Sequence, residues 1–598
     1  MDSRVRPPER FVDNQSVKAR VDNSSTGHSR KEVRNPLEIL SFWLKVKAFQ
    51  SRRTVTELSA GRPRRFSKGN ELKNAPVIAE SRTSLWTTDE ANEQILVVGK
   101  IQNLRIARRN LDGLEIEANE VFSFWRHVGR ASRRKGYVAG RELREGCLIP
   151  STGGGLCQLS NALYDAALQA GFEIIERHAH TKAIPGSLAE AGRDATVFWN
   201  YVDLRFKARN RFRIEVQLTS EDLLIRFKAE QRNSPHYYPV QISRDLTTIN
   251  SCISCGQSTC ARHPRSIYAP TLQTAYLLDD YWPEFDRYIQ SSRNDDDTIF
   301  IPIDGERLGK SNYAWSTEGF RQTNQARLTA LLRAWNTRRA RHGADRQRLR
   351  LKYNERLARQ FASQIGYQNS HLVIMQSLLP YLWRDGHLQG RTFDVLMTGL
   401  PSETLQQRLD QALNKHPESP TLGDFRASES LLIDEREALT HARKLVTPHS
   451  EVAQLFPDKT ELLNWIVPNE NVFTRRSTVR NSIAFPASTL GRKGVYQLRE
   501  ALNTFDVELI LCGPILEDEN FWQGFNIRHC NDHNWLNATA VVLPSIVESK
   551  PRRLLQAVAA GVPVIASSAC GLTHVGSVTT IPTGDLDALR NALLSVIN

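Results

Sequence analysis

The sequence predicts an α/β protein, with an N-terminal α+β domain followed by two Rossmann-like domains built on parallel sheets. Three observations carry this prediction. From residue 371 to the C-terminus, short apolar runs alternate with helical patterns, as parallel strands joined by crossover helices do. Arg211–Leu218 instead alternates residue by residue. Phe212, Ile214, Val216 and Leu218 share one face of a strand whose other face is polar. Finally, the glycines Gly153–Gly155 run into Leu159, Ala162, Leu163, Ala166, Ala167 and Ala170 at helical spacing, and Gly171 stands where the helix should stop.

At 598 residues the chain exceeds what one core can hold, and about four domains are expected. Its net charge of +14 is uneven: residues 1–70 carry 16 Lys/Arg against 7 Asp/Glu. With its Ser, Asn and Pro content, residues 1–80 read as a basic, mostly disordered arm. No aromatic-interleaved basic platform accompanies the arm, which argues against nucleic acid as a partner. Peripheral contact with an anionic membrane through the arm stays open. No apolar run is long enough to span a bilayer and no apolar h-region follows Met1, so the expectation is a cytoplasmic protein, at most at the inner face of the membrane.

The first folded region is expected over 81–232. It should hold a helix around Asn103–Asn110, an aromatic β-prone run Val121–Trp125, the helix Gln158–Ala170, and strands at Phe172–Arg177, Thr196–Phe206 and Arg211–Leu218. Residues 233–270 form a polar connector. Residues 271–475 combine a strand at Thr298–Ile303, a long Arg-rich helical stretch over Thr317–Ser363, and the first Rossmann-like block with strands His371–Met375, Phe393–Met397 and Leu445–Thr447. The second block occupies 476–598.

Cys157 follows the triple glycine at the start of a helix. A helix N-terminus favours a thiolate over a thiol. His178, His180 and Asp194 come next along the chain, so the order Cys, His, Asp suits a nucleophile, a proton-shuttling base and an orienting carboxylate. Acyl transfer or amide cleavage would follow. Two histidines compete for the base. Alternatively, the backbone N–H groups of Gly153–Gly155 cradle an anion in a non-catalytic pocket, or the cysteine simply packs in the core.

Residues 81–229 resemble the VanW family. The resemblance is carried by Asn103-Leu104-Arg105-Ile106-Ala107, Phe122-Ser123-Phe124-Trp125, Lys135-Gly136-Tyr137, Gly153–Asn161, Glu176-Arg177-His178-Ala179-His180, Asp194–Val197 and Asn200–Leu204. It implies a domain found beside peptidoglycan-binding or sugar-related modules, without implying a reaction.

Cys252-x2-Cys255-x4-Cys260-x2-His263 sets four soft ligands within twelve residues. The spacing suits a structural tetrahedral zinc; an iron–sulfur centre is the second choice, and metal-free loop cysteines the third.

Residues 371–598 resemble GT-B glycosyltransferases of the retaining type, which carry a Glu-x7-Glu element. The match rests on Val541–Ile565 with Glu548, on Ser488–Gly494 with Arg492 and Lys493, and on Glu437–Leu439 and Val446–Ser450. The resemblance implies a nucleotide sugar as donor, its diphosphate held by Arg492, Lys493 and a helix N-terminus. It also implies a catalytic-site role for Glu548 and a ribose contact at the second glutamate, which is Gln556 here. The implied acceptor is an envelope polysaccharide, glycan or lipid-linked precursor. A binding or scaffold protein of envelope biogenesis is the alternative.

Overall fold

The computed structural model describes residues 36–59, 61–88, 90–144, 147–180, 187–231, 250–252, 255, 260, 271–340, 343–469, 479–530 and 533–597. Helix α1 (Pro36–Ser59) precedes the first domain, which contains β1 (Val77–Ser84), α2 (Ala91–Leu111), β2 (Leu114–Ile116), β3 (Val121–Ser123), α3 (Phe124–Val128), β4 (Ala139–Arg144), β5 (Cys147–Thr152), α4 (Leu156–Gln169), β6 (Glu173–Glu176), β7 (Arg205–Lys207), β8 (Phe212–Leu218) and β9 (Asp222–Lys228). An antiparallel sheet in the order β1-β9-β8-β2 backs α2 and α4, and the small sheet β3-β7-β6 closes the far side. The alternation read at Arg211–Leu218 is the alternation of β8. Its Phe212, Ile214, Val216 and Leu218 lie in the core with Phe172, Phe206 and Phe227. A third sheet joins β5 to β4 and, in parallel, to the short β10 (Asn250–Ser251).

The second domain runs β11 (Gln273–Leu277), α5 (Pro283–Ser292), β12 (Thr298–Ile301), β13 (Gln322–Gln325), α6 (Arg327–Arg339), α7 (Gly343–Ala362), β14 (Asn369–Met375), α8 (Leu379–Arg384), β15 (Thr392–Leu396), α9 (Ser402–Lys415), α10 (Glu429–His441), β16 (Lys444–Thr447), α11 (Ser450–Leu455) and β17 (Thr460–Leu462). Its seven strands are all parallel, in the order β13-β12-β11-β14-β15-β16-β17. The third domain runs β18 (Val479–Phe485), α12 (Val495–Leu502), β19 (Glu508–Leu511), β20 (Asn526–His529), β21 (Ala538–Leu543), α13 (Arg552–Ala559), β22 (Val564–Ser567), β23 (Val578–Ile581) and α14 (Leu586–Ile597). It is again parallel, in the order β20-β19-β18-β21-β22-β23. Counted from the first strand of each domain, both sheets begin 3-2-1-4-5-6, the doubly wound order. Strands such as Ala538–Leu543 are covered on both faces, which is why they read as continuous apolar runs.

Three expectations are corrected. The arm is not uniformly unstructured, because α1 forms a helix of 24 residues and β1 begins at Val77. Phe42 and Trp43 of α1 meet Phe198, and Phe49 stacks on Tyr201. Arg53 of α1 then holds Glu176 through two hydrogen bonds of 2.9 and 2.8 Å, while Arg205 joins Glu57 to Asp203. The strand expected over Thr196–Phe206 is confined to β7, because Asn200 takes a positive φ of 65° and turns the chain. Likewise, the Arg-rich stretch Thr317–Ser363 is a strand and two helices rather than one helix.

Truncating one partner of a part-buried charge network costs about 1–3 kcal/mol. Arg53→Ala is therefore expected to speed limited proteolysis within 36–59 about five-fold or more, leaving fragments that begin inside α1. An unchanged digestion pattern would show that α1 is held by its aromatic contacts alone.

Candidate functional site

Two centres stand out, one in each half. The first is built on the glycine turn. Gly155 has φ +97°, a conformation that L side chains rarely adopt, and a Cβ there would lie 2.1 Å from Lys100 Cγ. Asn103 of α2 clamps the turn, donating from Nδ2 to Val138 O (3.0 Å) and Gly154 O (2.9 Å) while Oδ1 accepts from Val138 N (2.9 Å). The half-buried Cys157 therefore sits in the first turn of α4.

Opposite it, residues 194–196 are pinned. Asn161 Oδ1 accepts from Ala195 N at 2.8 Å, Ser160 Oγ donates to Ala195 O at 2.5 Å, and Thr196 N donates to His178 O at 2.8 Å. This sets His180 Nδ1 2.8 Å from Oδ1 of the fully buried Asp194, whose Oδ2 accepts the His180 backbone N–H at 2.5 Å. The Thr196 hydroxyl lies 3.0 Å from His180 Nε2 and 3.7 Å from Cys157 Sγ. Burial alone would lower the His180 pKa, but its hydrogen bonds to Asp194 and Cys157, and their negative charge, raise it to about 10.

Of the two competing histidines, His180 joins Cys157 and Asp194. His178 is half exposed, with Nε2 3.5 Å from Glu176. The centre opens into a cavity of about 700 Å³ walled by Trp43, Trp86, Trp125 and Trp199. Sequence reasoning missed Thr196 and these indoles, because no spacing rule links them to Cys157. It also missed Lys100 in the wall, whose ammonium donates to Leu85 O at 2.6 Å and whose pKa burial lowers to about 7.

The second centre lies at the carboxyl edge of the third domain, between β18 and β21, where the strand order reverses. The β18 loop carries Arg492 and Lys493, and the β21 loop carries Ser545 and Glu548. Gly494, at φ +76°, lets the loops close, since a Cβ there would meet Pro544 O at 1.8 Å. The loops are stitched by Ile546 N donating to Arg492 O (2.9 Å) and by a buried ion pair between Lys493 and Glu548. Burial pulls the Lys493 pKa down. The same burial would raise Glu548, but Lys493 and the backbone N–H of Lys550 hold it below its ordinary value.

His449, after β16 of the second domain, reaches across so that its Nε2 lies 2.9 Å from Glu548 O. Two polar side-chain atoms here are buried without a hydrogen-bond partner: Arg492 Nε and Ser545 Oγ. Buried orphans are rare and call for a reason. Arg492 also borders a cleft of about 1400 Å³ between the second and third domains, its guanidinium 4.7 Å above the Phe425 ring. The two domains are clasped beside the cleft by Arg552 on Glu284, with two contacts of 2.6 Å. Gln556, expected beside the ribose, lies on α13; of the residues expected to hold the donor, Arg492 is in the cleft wall, and Lys493, Glu548 and Gln556 are not.

His263 lies outside the described residues, and among the described residues no group of His, Cys, Asp or Glu is arranged to hold a metal ion. The neighbours of Cys252 include a residue outside the motif. β10 pairs with β5 so that Asn250 faces Cys147, and burial together with Cys255, Cys260 and Cys147 pushes the Cys252 thiol up to about 11. Zinc and iron–sulfur ligation are thus unsupported.

Fold and sites together define a VanW-like α+β domain ahead of two Rossmann-like domains that face each other across a cleft. The sequence-family model described as "VanW like protein" matches residues 99–228. Over 105 residues the chain is 38% identical to YoaR of Bacillus subtilis (strain 168), covering 18% of this chain and 34% of that protein. It is 31% identical over 149 residues to the vancomycin B-type resistance protein VanW of Enterococcus faecalis, covering 24% of this chain and 54% of the relative. The chain thus spans between a third and about half the length of these curated relatives.

Similar solved structures include a sucrose-phosphate synthase from Thermosynechococcus elongatus, at 14% identity and a TM-score of 0.34, covering 54% of this chain and 89% of that one. The lipopolysaccharide outer core galactosyltransferase WaaB gives 14% identity and a TM-score of 0.31, with 54% and 90% covered. No described helix is long and apolar enough to cross a membrane.

The His180 assignment has a pH signature. Its folded pKa, about 10, lies above the ordinary histidine value of about 6.5. The stability from its pairing is therefore complete below about pH 6.5 and is lost as pH rises through the folded value. Histidine-ring NMR should show His180 keeping its proton at pH 8, and Asp194→Asn should release that proton near neutrality. The wild type should also lose more thermal stability than the variant between pH 7 and 10.

Proposed function

We propose that the C-terminal half transfers a sugar from a nucleotide sugar to a cell-envelope glycan or lipid-linked acceptor. The observation that supports this best is the pair of buried, unpartnered polar atoms, Arg492 Nε and Ser545 Oγ, beside the Lys493–Glu548 ion pair. They lie where doubly wound sheets bind ligands, outside the carboxyl ends of strands at the switch point. A diphosphate would engage Arg492 and Lys493, with the N-terminus of α12 behind them, and the leaving nucleotide's charge would be stabilised without a metal. Lys493 is paired with Glu548, so binding would exchange one anion for another on the lysine and free Glu548 to face sugar hydroxyls. The resemblance of the Glu548 loop to that of retaining enzymes extends the reading to retention at the anomeric carbon.

The acceptor reading rests on the other wall of the cleft. Leu328, Leu331 and Trp335 of α6 are 70%, 62% and 52% exposed there. Arg338, Arg346 and Arg350 stand beside them. Apolar surface beside a group of arginines suits an acceptor with a hydrocarbon portion and a phosphate head.

The test is a panel of uridine, guanosine, adenosine and thymidine diphosphate sugars with an undecaprenyl-phosphate-type acceptor, read by nucleotide release. One donor should turn over, and Lys493→Ala should weaken binding of its nucleoside diphosphate at least ten-fold, about 1.4 kcal/mol. A silent panel together with unchanged affinity in Lys493→Ala would refute the assignment. Binding without turnover would instead favour the scaffold reading.

A further inference from the structure

The glycosyl-transfer reading makes no use of the Cys157 centre, which is built like a reaction site in its own right. Three chemically distinct groups converge on it from three segments: a thiol in the first turn of α4, an imidazole at His180 and a fully buried carboxylate at Asp194. The order of contact is Asp194 on Nδ1, and Thr196 Oγ1 with Cys157 on the Nε2 side. That fixes which ring nitrogen exchanges a proton with the thiol and which is held by the carboxylate. A cysteine merely packed in a core needs none of this, and this one faces an open cavity of about 700 Å³. Four indoles, from Trp43, Trp86, Trp125 and Trp199, stand in its wall among many polar groups, Arg82, Arg130, Arg141 and Glu142 being charged. Indole faces pack well on the apolar faces of sugar rings, and the polar groups between them suit sugar hydroxyls.

We infer that this cavity is a second catalytic site, in which Cys157 takes an acyl group from an acylated sugar to form a thioester. The reaction starts from the pair in which the thiol proton already rests on His180, the protonated ring described above, with Cys157 as the thiolate. Cys157 Sγ then bonds to the carbonyl carbon, the bond from that carbon to the sugar oxygen or nitrogen breaks, and His180 returns the proton to the departing atom. The oxyanion that forms in between faces the backbone N–H groups of the first turn of α4. Water, deprotonated by His180, then attacks the thioester; its C–S bond breaks and the thiol is restored. No oxidant or metal enters the balance. Asp194 keeps the imidazole in one tautomer and orientation throughout. The assignment is independent of the donor cleft, so either can fail without the other.

The experiment uses the full chain. It is incubated with p-nitrophenyl acetate, then separately with glucose pentaacetate and with ethyl acetate, and acetylation is mapped on every cysteine by peptide mass spectrometry. The chain holds eight cysteines, and Cys147 is half-buried like Cys157, so it serves as the control inside the same molecule. The expected result is acetylation of Cys157 at least ten-fold faster than of Cys147, with glucose pentaacetate effective and ethyl acetate not. His180→Asn should slow Cys157 at least ten-fold while Cys147 is unchanged. Labelling of Cys157 no faster than of Cys147 in the wild type would overturn the proposal whether or not any variant folds. A rate at Cys157 unaffected by His180→Asn in a folded protein would overturn it as well.

Discussion

Both C-terminal sheets are parallel and wound outward in two directions from their first strand, and this single constraint organises the donor side of the molecule. Successive crossovers leave β18 on one side and β21 on the other, so the loops at their carboxyl ends must part and leave a crevice. Arg492 and Lys493 lie in one of these loops, Ser545 and Glu548 in the other. Close approach of the loops, allowed by Gly494 against Pro544, then forces a lysine and a glutamate into a shared buried volume. A buried pair of this kind contributes little net stability once desolvation is counted. Its retention beside the unpartnered Arg492 Nε and Ser545 Oγ is easier to understand as a binding site than as a staple.

The N-terminal domain solves a different problem with a similar device. A thiol at a helix start is unremarkable until something opposite it is held still. Here the hydrogen bonds of Ser160 and Asn161 to Ala195 make α4 carry both the cysteine and the anchors of the segment that presents Asp194 and Thr196. One helix thus fixes both sides of the centre, and the glycine turn fixes the helix.

Much of this was legible in the sequence, and the exceptions have physical reasons. Strands such as Ala538–Leu543 and Phe212–Leu218 read correctly because burial on two faces or on one leaves a direct mark on residue order. The Cys157, His180 and Asp194 set was visible as residue types in order, but the choice between His178 and His180 depended on the path of the chain near 194–196. Helix α1 was hidden because charge pairing of Arg53 and Arg205 with Glu57, Glu176 and Asp203 and scattered aromatic contacts hold it, rather than a continuous apolar stripe. The turn at Asn200 was hidden inside a β-prone run. The cysteine motif suggested a metal from spacing alone, whereas strand pairing brings in Cys147 from a distant part of the chain.

Hydrogen–deuterium exchange on the full chain, with and without saturating uridine, guanosine or adenosine diphosphate, tests the central claim most directly. The switch-point account predicts that one of these ligands slows exchange in 486–494 and 544–551 while peptides spanning 153–157 and 194–197 are unchanged. No protection from any of the three, or protection at the glycine turn with the two switch-point loops unaltered, would contradict it.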